Sequence, residues 1–257
     1  MKNTLRPAGL QRYFVVALLF GAFTLAAYAA LTRQASRVTD VVVEIQPTAD
    51  GLFLIQGQDV TKRLDSGPQG ALIGQAIPQL AYEPLERLLE LDPYVAGAEL
   101  YTGFDGKLHV TIEQNEPVLR VHHRGGPDYY VGPTGDVLPL SKHDVARVMV
   151  LTGNVRPFKE AVGDTVAIEA YRLARIIEQD ELLRPLIEQI DLRGGEYTLI
   201  PKLGSAEFRL GKLDRLPAKI DRLKIFLQGV TPEVGWEMYQ SIDLRYDGQV
   251  VCRKRPA

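Results

Sequence analysis

Few side chains in this sequence are spaced for catalysis. The sequence contains no G-x-S-x-G, H-E-x-x-H, Walker or dinucleotide-binding glycine pattern, the arrangements that build nucleophile, zinc and phosphate sites. His122 and His123 are adjacent in a segment predicted to be extended, where neighbouring side chains point to opposite faces. Cys252 has no histidine near it in the sequence and is predicted to be a half-buried strand residue. We therefore expect no catalytic residue, no metal site, no cofactor and no small-molecule substrate.

The charge balance argues against nucleic acid as a partner. The 257 residues carry a formal net charge of −2 and contain no long basic block. The short cluster Arg253-Lys254-Arg255 is more often a solvated tail than a binding patch. Cys252 is the single cysteine, which excludes an internal disulfide. Packing of an apolar core must therefore stabilise the folded part.

An uncharged apolar run extends from Tyr13 to Leu31. As a helix it would be about 30 Å long, the thickness of the bilayer core. Three basic residues and no acidic one precede it, which favours a cytoplasmic N-terminus. We predict a cytoplasmic tail at 1–12, a single transmembrane helix at 13–32, and a large C-terminal part outside the cytosol. The anchor residues singled out are Tyr13, Phe14, Leu18, Phe20, Phe23, Leu25 and Leu31.

A cleaved signal peptide is the alternative interpretation of the same run. Ala27-Tyr28-Ala29 is a small-residue cleavage pattern after a basic segment. The apolar run is long for a signal peptide and continues beyond Ala29, which favours the anchor.

Residues 38–116 predict a small two-layer α+β domain. Leu85, Leu88 and Leu89 have the spacing of one buried helix face. Leu108, Val110 and Ile112 alternate with polar residues, as in a strand with one wet face. The predicted elements are a strand at 41–45, helices at 58–64 and 82–91, and strands at 95–101 and 107–113.

Residues 117–257 predict a second mixed α/β domain with a mainly antiparallel sheet. Its predicted helices cover about 165–183 and 214–228. Its predicted strands lie at 118–122, 128–131, 137–140, 145–151, 186–192, 197–201 and 206–210, followed by an extended segment at 241–253. In that last segment the even positions are mostly apolar and the odd positions mostly polar, which indicates one buried face. Asp247-Gly248 is either a hairpin turn or a kink in one strand.

Nearly the whole chain resembles the bacterial FtsQ/DivIB family of division proteins. The short basic tail and apolar run precede Leu91-Asp92-Pro93-Tyr94-Val95, which is similar to a helix end and strand of the family's POTRA domain. The segment from Ile112 to Val118 resembles the one with which the chain leaves the POTRA domain in that family. Two further pieces, 128–138 and 219–223 followed by 242–247, resemble the family's hairpin and C-terminal signature.

The resemblance implies a non-catalytic scaffold of the divisome. It implies a single-pass inner-membrane protein at the division site, with a periplasmic C-terminus, that binds the coiled-coil proteins FtsB and FtsL and other divisome membrane proteins. FtsB would bind along the last strand. The partner-binding residues it implies are Arg245, Tyr246, Gly248, Gln249 and Lys254. Pairing of a partner strand with the last strand, with attraction from its basic side chains, adds Val250, Val251 and Arg253 to the predicted set.

Two alternatives to this function remain from the sequence. One is a POTRA-bearing periplasmic peptide-binding or secretion factor that acts by strand addition. The other is structural: the last strand closes a sheet and binds no partner.

Overall fold

The computed structural model describes residues 15–27, 37–157, 165–230, 235 and 238–255. Residues 15–27 form helix α1, in which Leu18, Phe20, Phe23 and Leu25 are exposed. Within the described residues, no helix is both long enough and apolar enough to cross a membrane. Three of the predicted anchor residues and the predicted cleavage position lie outside the described residues, namely Tyr13, Phe14, Leu31 and Ala29.

The chain divides into two compact units, and the first contains a three-stranded sheet with two helices. Its strand order is β1-β3-β2, and β1 runs parallel to β3 with Asp40 opposite Lys107. The elements are β1 (Asp40–Ile45), α2 (Gly57–Asp65), a 3₁₀ turn (Ile77–Gln79), α3 (Tyr82–Glu90), β2 (Val95–Thr102) and β3 (Lys107–Gln114).

The core of the first unit follows the predicted apolar pattern with one exception. Leu108, Val110 and Ile112 are fully buried, as their alternation predicts, and Leu85 and Leu89 of α3 are buried with them. Leu88 is only half-buried, so the helix is rotated slightly from the predicted face. Its end methyl lies beside Gly67, where a Cβ atom would come within 2.5 Å of Leu88 Cδ2.

The second unit is built on a nine-stranded sheet and two helices. Five of its eight neighbouring strand pairs, among the residues described, are antiparallel, so the sheet is mixed but mainly antiparallel. The strand order is β12-β11-β10-β9-β8-β7-β4-β5-β6. Its elements are β4 (Leu119–Val121), β5 (Tyr129–Val131), β6 (Val137–Pro139), β7 (Met149–Gly153), α4 (Thr165–Glu178), β8 (Ile187–Arg193), β9 (Glu196–Pro201), β10 (Glu207–Gly211), α5 (Leu216–Val230), β11 (Tyr239–Asp243) and β12 (Val251–Lys254).

One face of this sheet carries the core. Registered pairs such as Leu151 with Ile190 and Phe208 with Ile242 place apolar side chains on the same face across the strands. Residues of α4 and α5 belong to the same buried cluster, so both helices cover that face. In α5 the buried apolar residues are Leu216, Ile220, Leu223 and Leu227, four of the five residues predicted to face the core.

Two predicted boundaries in the second unit were wrong. The strand predicted at 145–151 begins only at Met149, and Val145 is exposed. The helix predicted to reach Leu183 ends at Glu178. Asp180 then accepts hydrogen bonds from the backbone N–H groups of Leu182 and Leu183, which starts a new turn in place of a continued helix.

Candidate partner-binding edge

The last two strands of the chain form a hairpin at one edge of the nine-stranded sheet. β12 pairs with β11 in antiparallel fashion, with Arg253 opposite Ser241 and Val251 opposite Asp243. On its other side, β12 pairs with no strand among the residues described. A register shift between Tyr239 and Ser241 marks a bulge in β11. The segment 241–253, which the sequence left as one strand or a hairpin, is therefore two strands joined by 244–250.

The hydrogen bonds around the hairpin show which backbone groups of β12 point outward. The Leu244 N–H donates to the Arg209 carbonyl on β10, and the Arg255 N–H donates to the Met238 carbonyl. Backbone groups of successive strand residues point to alternate sides. Val251 and Arg253 therefore face β11, and the N–H and C=O groups of Cys252 and Lys254 face away from the sheet.

The side chains of β12 divide between the core and the solvent. Val250 and Cys252 pack against the apolar core, whereas Val251 and Arg253 are exposed. Burial raises the pKa of the Cys252 thiol, which does not favour a reactive thiolate. The prediction of a half-buried strand cysteine is confirmed.

The connection between β11 and β12 is held by arginines from α5 and the turn before it. Arg222 donates to the carbonyls of Leu244 at 3.0 Å and Tyr246 at 2.9 Å. Arg215 pairs with Asp247 at 2.5 Å. The Arg222 guanidinium fixes the path that leads the chain into β12.

Arg245 contacts two carboxylates of its own chain. Its guanidinium bonds to Asp243 at 2.7 Å and to Glu196 at 3.0 Å. Burial alone would raise the pKa of Asp243, but hydrogen bonds from the Arg245 side chain and backbone, with the charges of Arg245 and Arg209, lower it below its ordinary value. The Arg245 stem lies over Gly211, whose positive φ of 69° and lack of a Cβ leave room for it.

The structure brings most of the implied partner-binding residues to one end of the sheet. Tyr246 is 53% exposed although the alternation predicted a buried position. It lies in the connection, where strand periodicity does not apply. Gly248 has a φ of 66° in the turn. The other exposed members of the set are Arg245, Gln249, Val251, Arg253 and Lys254.

Three residues that support this edge were not among the predicted site residues. They are Arg215, Arg222 and Asp243. Arg222 and Asp243 fall within the C-terminal pieces that carried the family resemblance. Their spacing in the sequence gives no sign that they meet, because the contact joins a helix to a hairpin.

Elsewhere in the second unit, the Asp128 carboxylate contacts two neighbouring side chains. His122 bonds to Asp128 at 2.9 Å, and Arg120 bonds to the same carboxylate at 2.7 Å. The described residues hold no cluster of three or more His, Cys, Asp or Glu side chains that could bind a metal ion.

Comparisons with known proteins point to cell division. The family model "FtsQ/DivIB, C-terminal related" matches residues 116–253, just over half of the chain. The chain is also 25% identical over 212 residues to the protein named cell division protein FtsQ from Salinibacter ruber. That alignment covers 77% of this chain and 78% of the relative.

Proposed function

The chain belongs to the FtsQ/DivIB family, which gives it a role in cell division, and on that premise we propose that it is a non-catalytic scaffold of the divisome. In this proposal the apolar run 13–31 anchors it in the inner membrane at the division site. The C-terminal part lies in the periplasm, binds FtsB together with FtsL, and helps control septal peptidoglycan synthesis. The exposed apolar side chains of α1 support the anchor.

The free edge of β12 carries the partner-binding part of the proposal. An unpaired edge offers a row of donors and acceptors that can hydrogen-bond an added strand. Here the outward groups belong to Cys252 and Lys254, as the ladder to β11 requires. A segment of FtsB would add a tenth strand to the sheet at this place.

The side chains around the edge add a charge preference. Arg253 and Lys254 are exposed, and neither forms an ion pair with another of the described residues. Arg245 is already paired with two carboxylates, so its contribution to a partner is smaller than the family resemblance implies. The edge therefore favours a partner strand with acidic residues flanking its apolar positions.

A proline at Cys252 tests strand addition directly. Proline is tolerated in edge strands where the lost N–H faces outward, and the Cys252 N–H does so. The Cys252→Ala variant removes the side chain and keeps that donor. We expect the Cys252→Pro variant to bind an FtsB peptide at least tenfold more weakly than Cys252→Ala, because a donor for the added strand is gone.

The control is a proline on the other side of the same strand. Val251 faces β11, so Val251→Pro breaks the internal ladder and should lower the melting temperature as well as binding. A folded Cys252→Pro variant that binds the peptide as well as Cys252→Ala would rule out strand addition at β12. Arg253→Ala should weaken binding less than Cys252→Pro, and the difference in affinity from the unchanged protein should shrink as added salt screens the charge.

The alternative is a peptide-binding or secretion factor that acts by strand addition outside the septum. Location in the cell separates the two functions, because only the division protein concentrates at the septum. A fluorescently tagged chain spread evenly over the cell envelope would favour the alternative.

A further inference from the structure

The turn between β2 and β3 presents an unusually exposed aromatic ring. Phe104 is 114% exposed, so its ring contacts almost nothing in its own chain. The turn around it is well defined, since the Gly103 N–H donates to Lys107 at 3.0 Å and the Gly106 N–H donates to Gly103 at 3.1 Å. One exposed apolar side chain is ordinary, but several that lie together mark a surface for protein or membrane contact.

This turn lies where the chain enters the first unit. β1 and β3 are parallel, so both begin at the same end of the sheet. The Thr39 N–H donates to the Gly106 carbonyl at 3.0 Å, just ahead of β1. The chain that follows the N-terminal apolar run therefore joins the sheet beside the turn that carries Phe104.

A second segment places further apolar side chains at this end. Val38 exchanges hydrogen bonds with the segment 74–75, and the Arg37 guanidinium donates to the Gly74 carbonyl at 2.6 Å. Ile73, next to Gly74, is 61% exposed, and Pro78 is exposed nearby. Together, Arg37, Ile73, Pro78 and Phe104 form what we term the tip patch.

Chain length limits how far the tip patch can lie from the apolar run. Leu31 ends the run, and Arg37 follows six residues later. Six residues span at most about 20 Å when fully extended. If the run is embedded in a bilayer, Arg37 stays within that distance of the hydrocarbon core, and Pro78 and Phe104 line the same cavity as Arg37, so the tip patch has a high effective concentration at the lipid surface.

We propose that the tip patch contacts the outer surface of the membrane, with Phe104 inserted among the lipid headgroups. This inference rests on the anchoring part of the proposed function. An aromatic ring and short apolar side chains with a cationic neighbour are the groups that settle at the boundary between headgroups and acyl chains. The contact would fix the orientation of the first unit on the membrane.

Tryptophan fluorescence in the full chain, reconstituted in phosphatidylglycerol-containing vesicles, tests the contact. The single native tryptophan is first removed by Trp236→Phe. A probe is then introduced by Phe104→Trp or, as the matched control, by Ile225→Trp on α5, where the native side chain is 69% exposed. We expect the emission of the Phe104→Trp protein to be shifted to the blue and to be quenched in vesicles of brominated lipid. The Ile225→Trp protein should show neither the shift nor the quenching.

An alkaline wash of the same vesicles distinguishes failure of the lipid contact from failure of the membrane anchor. A chain that resists the wash but shows no quenching of the Phe104→Trp probe overturns the lipid contact alone, including the case in which a protein partner covers the turn. A chain released by the wash overturns the anchor and the lipid contact together.

Discussion

Arg245 stabilises the hairpin of its own chain, and only what remains exposed of its side chain can contact a partner. Its guanidinium joins Asp243 in β11 to Glu196 at the start of β9, across the strand β10. Its stem fills the space over Gly211. If a mutation of Arg245 weakens partner binding, two causes contribute: the β12 edge is displaced, and the contact between Arg245 and the partner is lost.

The pair of Asp243 with Arg245 should make stability depend on acid. The pKa of Asp243 is lower in the folded chain than its ordinary 3.8, so its stabilisation is complete above that value and is lost as the pH falls through the lowered one. Asp243→Asn should lower the free energy of unfolding at pH 7 by about 1–2 kcal/mol, allowing for partial exposure of Arg245. Urea unfolding at pH 7 and near pH 2 checks this, and a gap between the two proteins that stays constant with pH would contradict it.

Gly211 should not accept a side chain. Its φ of 69° is unfavourable for other residues, and an added Cβ would lie 2.7 Å from Arg245 Cγ. We expect Gly211→Ala to cost about 1–3 kcal/mol of stability and to displace Arg245. Gly194, with a φ of 59° and no atom within 4 Å of an added Cβ, is the matched control, in which only the backbone strain remains. Equal thermal shifts for both would mean that the Arg245 contact adds nothing.

At the level of single elements, α3 tests how the first unit is packed. Leu85 and Leu89 are buried, and Leu88 is half-buried. Truncation of Leu85 or Leu89 to alanine should therefore cost about 2–5 kcal/mol, and truncation of Leu88 clearly less. Thermal melts of the three variants measure the order, and the largest shift at Leu88 would show that Leu88 is more deeply buried than Leu85 and Leu89.

Two residues on the polar face of the same helix differ in their contacts and should differ in their contribution to stability. Glu86 and Arg87 both lie off the buried face of α3, but Glu86 accepts a hydrogen bond from the Leu100 N–H at 2.9 Å. Among the described residues, the Arg87 side chain makes an exposed i,i+4 pair with Glu83. Glu86→Ala should cost about 1 kcal/mol and Arg87→Ala less than about 0.5 kcal/mol.

Sequence patterns predicted elements well where one face of a strand or helix meets the core. Leu108, Val110 and Ile112 alternate in the sequence and are buried in β3. The pattern fails at the candidate edge, where residues 241–244 are all buried. Asp243 is a polar residue that is buried because Arg245 covers it. In this segment the alternation of polar and apolar residues therefore does not match the alternation of exposed and buried residues. The contacts of Arg222 with the hairpin are set by the packing of α5, which no local pattern contains.

For the whole molecule, the proposed anchor is the feature on which location would depend. A charge in the middle of the apolar run, as in Phe20→Arg, should cost about 2.5–3.5 kcal/mol of insertion. Cell fractionation should then find more of the chain outside the inner membrane. Leu203→Arg, at an exposed position of the second unit, is the control and should leave the distribution unchanged. A native chain that begins at Ala30 by mass spectrometry would show that the run is a cleaved signal peptide.

The parallel pairing of β1 with β3 also determines how the first unit carries a pulling force. If the N-terminal run is anchored in the membrane, it pulls on the start of β1, whereas the stretch of the second unit that begins at Gln114 follows the end of β3. Because the two strands are parallel, these attachment points lie at opposite ends of one six-residue ladder. A force applied between these two points shears the hydrogen bonds of the ladder together instead of opening them one after another. A proline within β1 should therefore lower the unfolding force when the chain is pulled between these points in a single-molecule experiment.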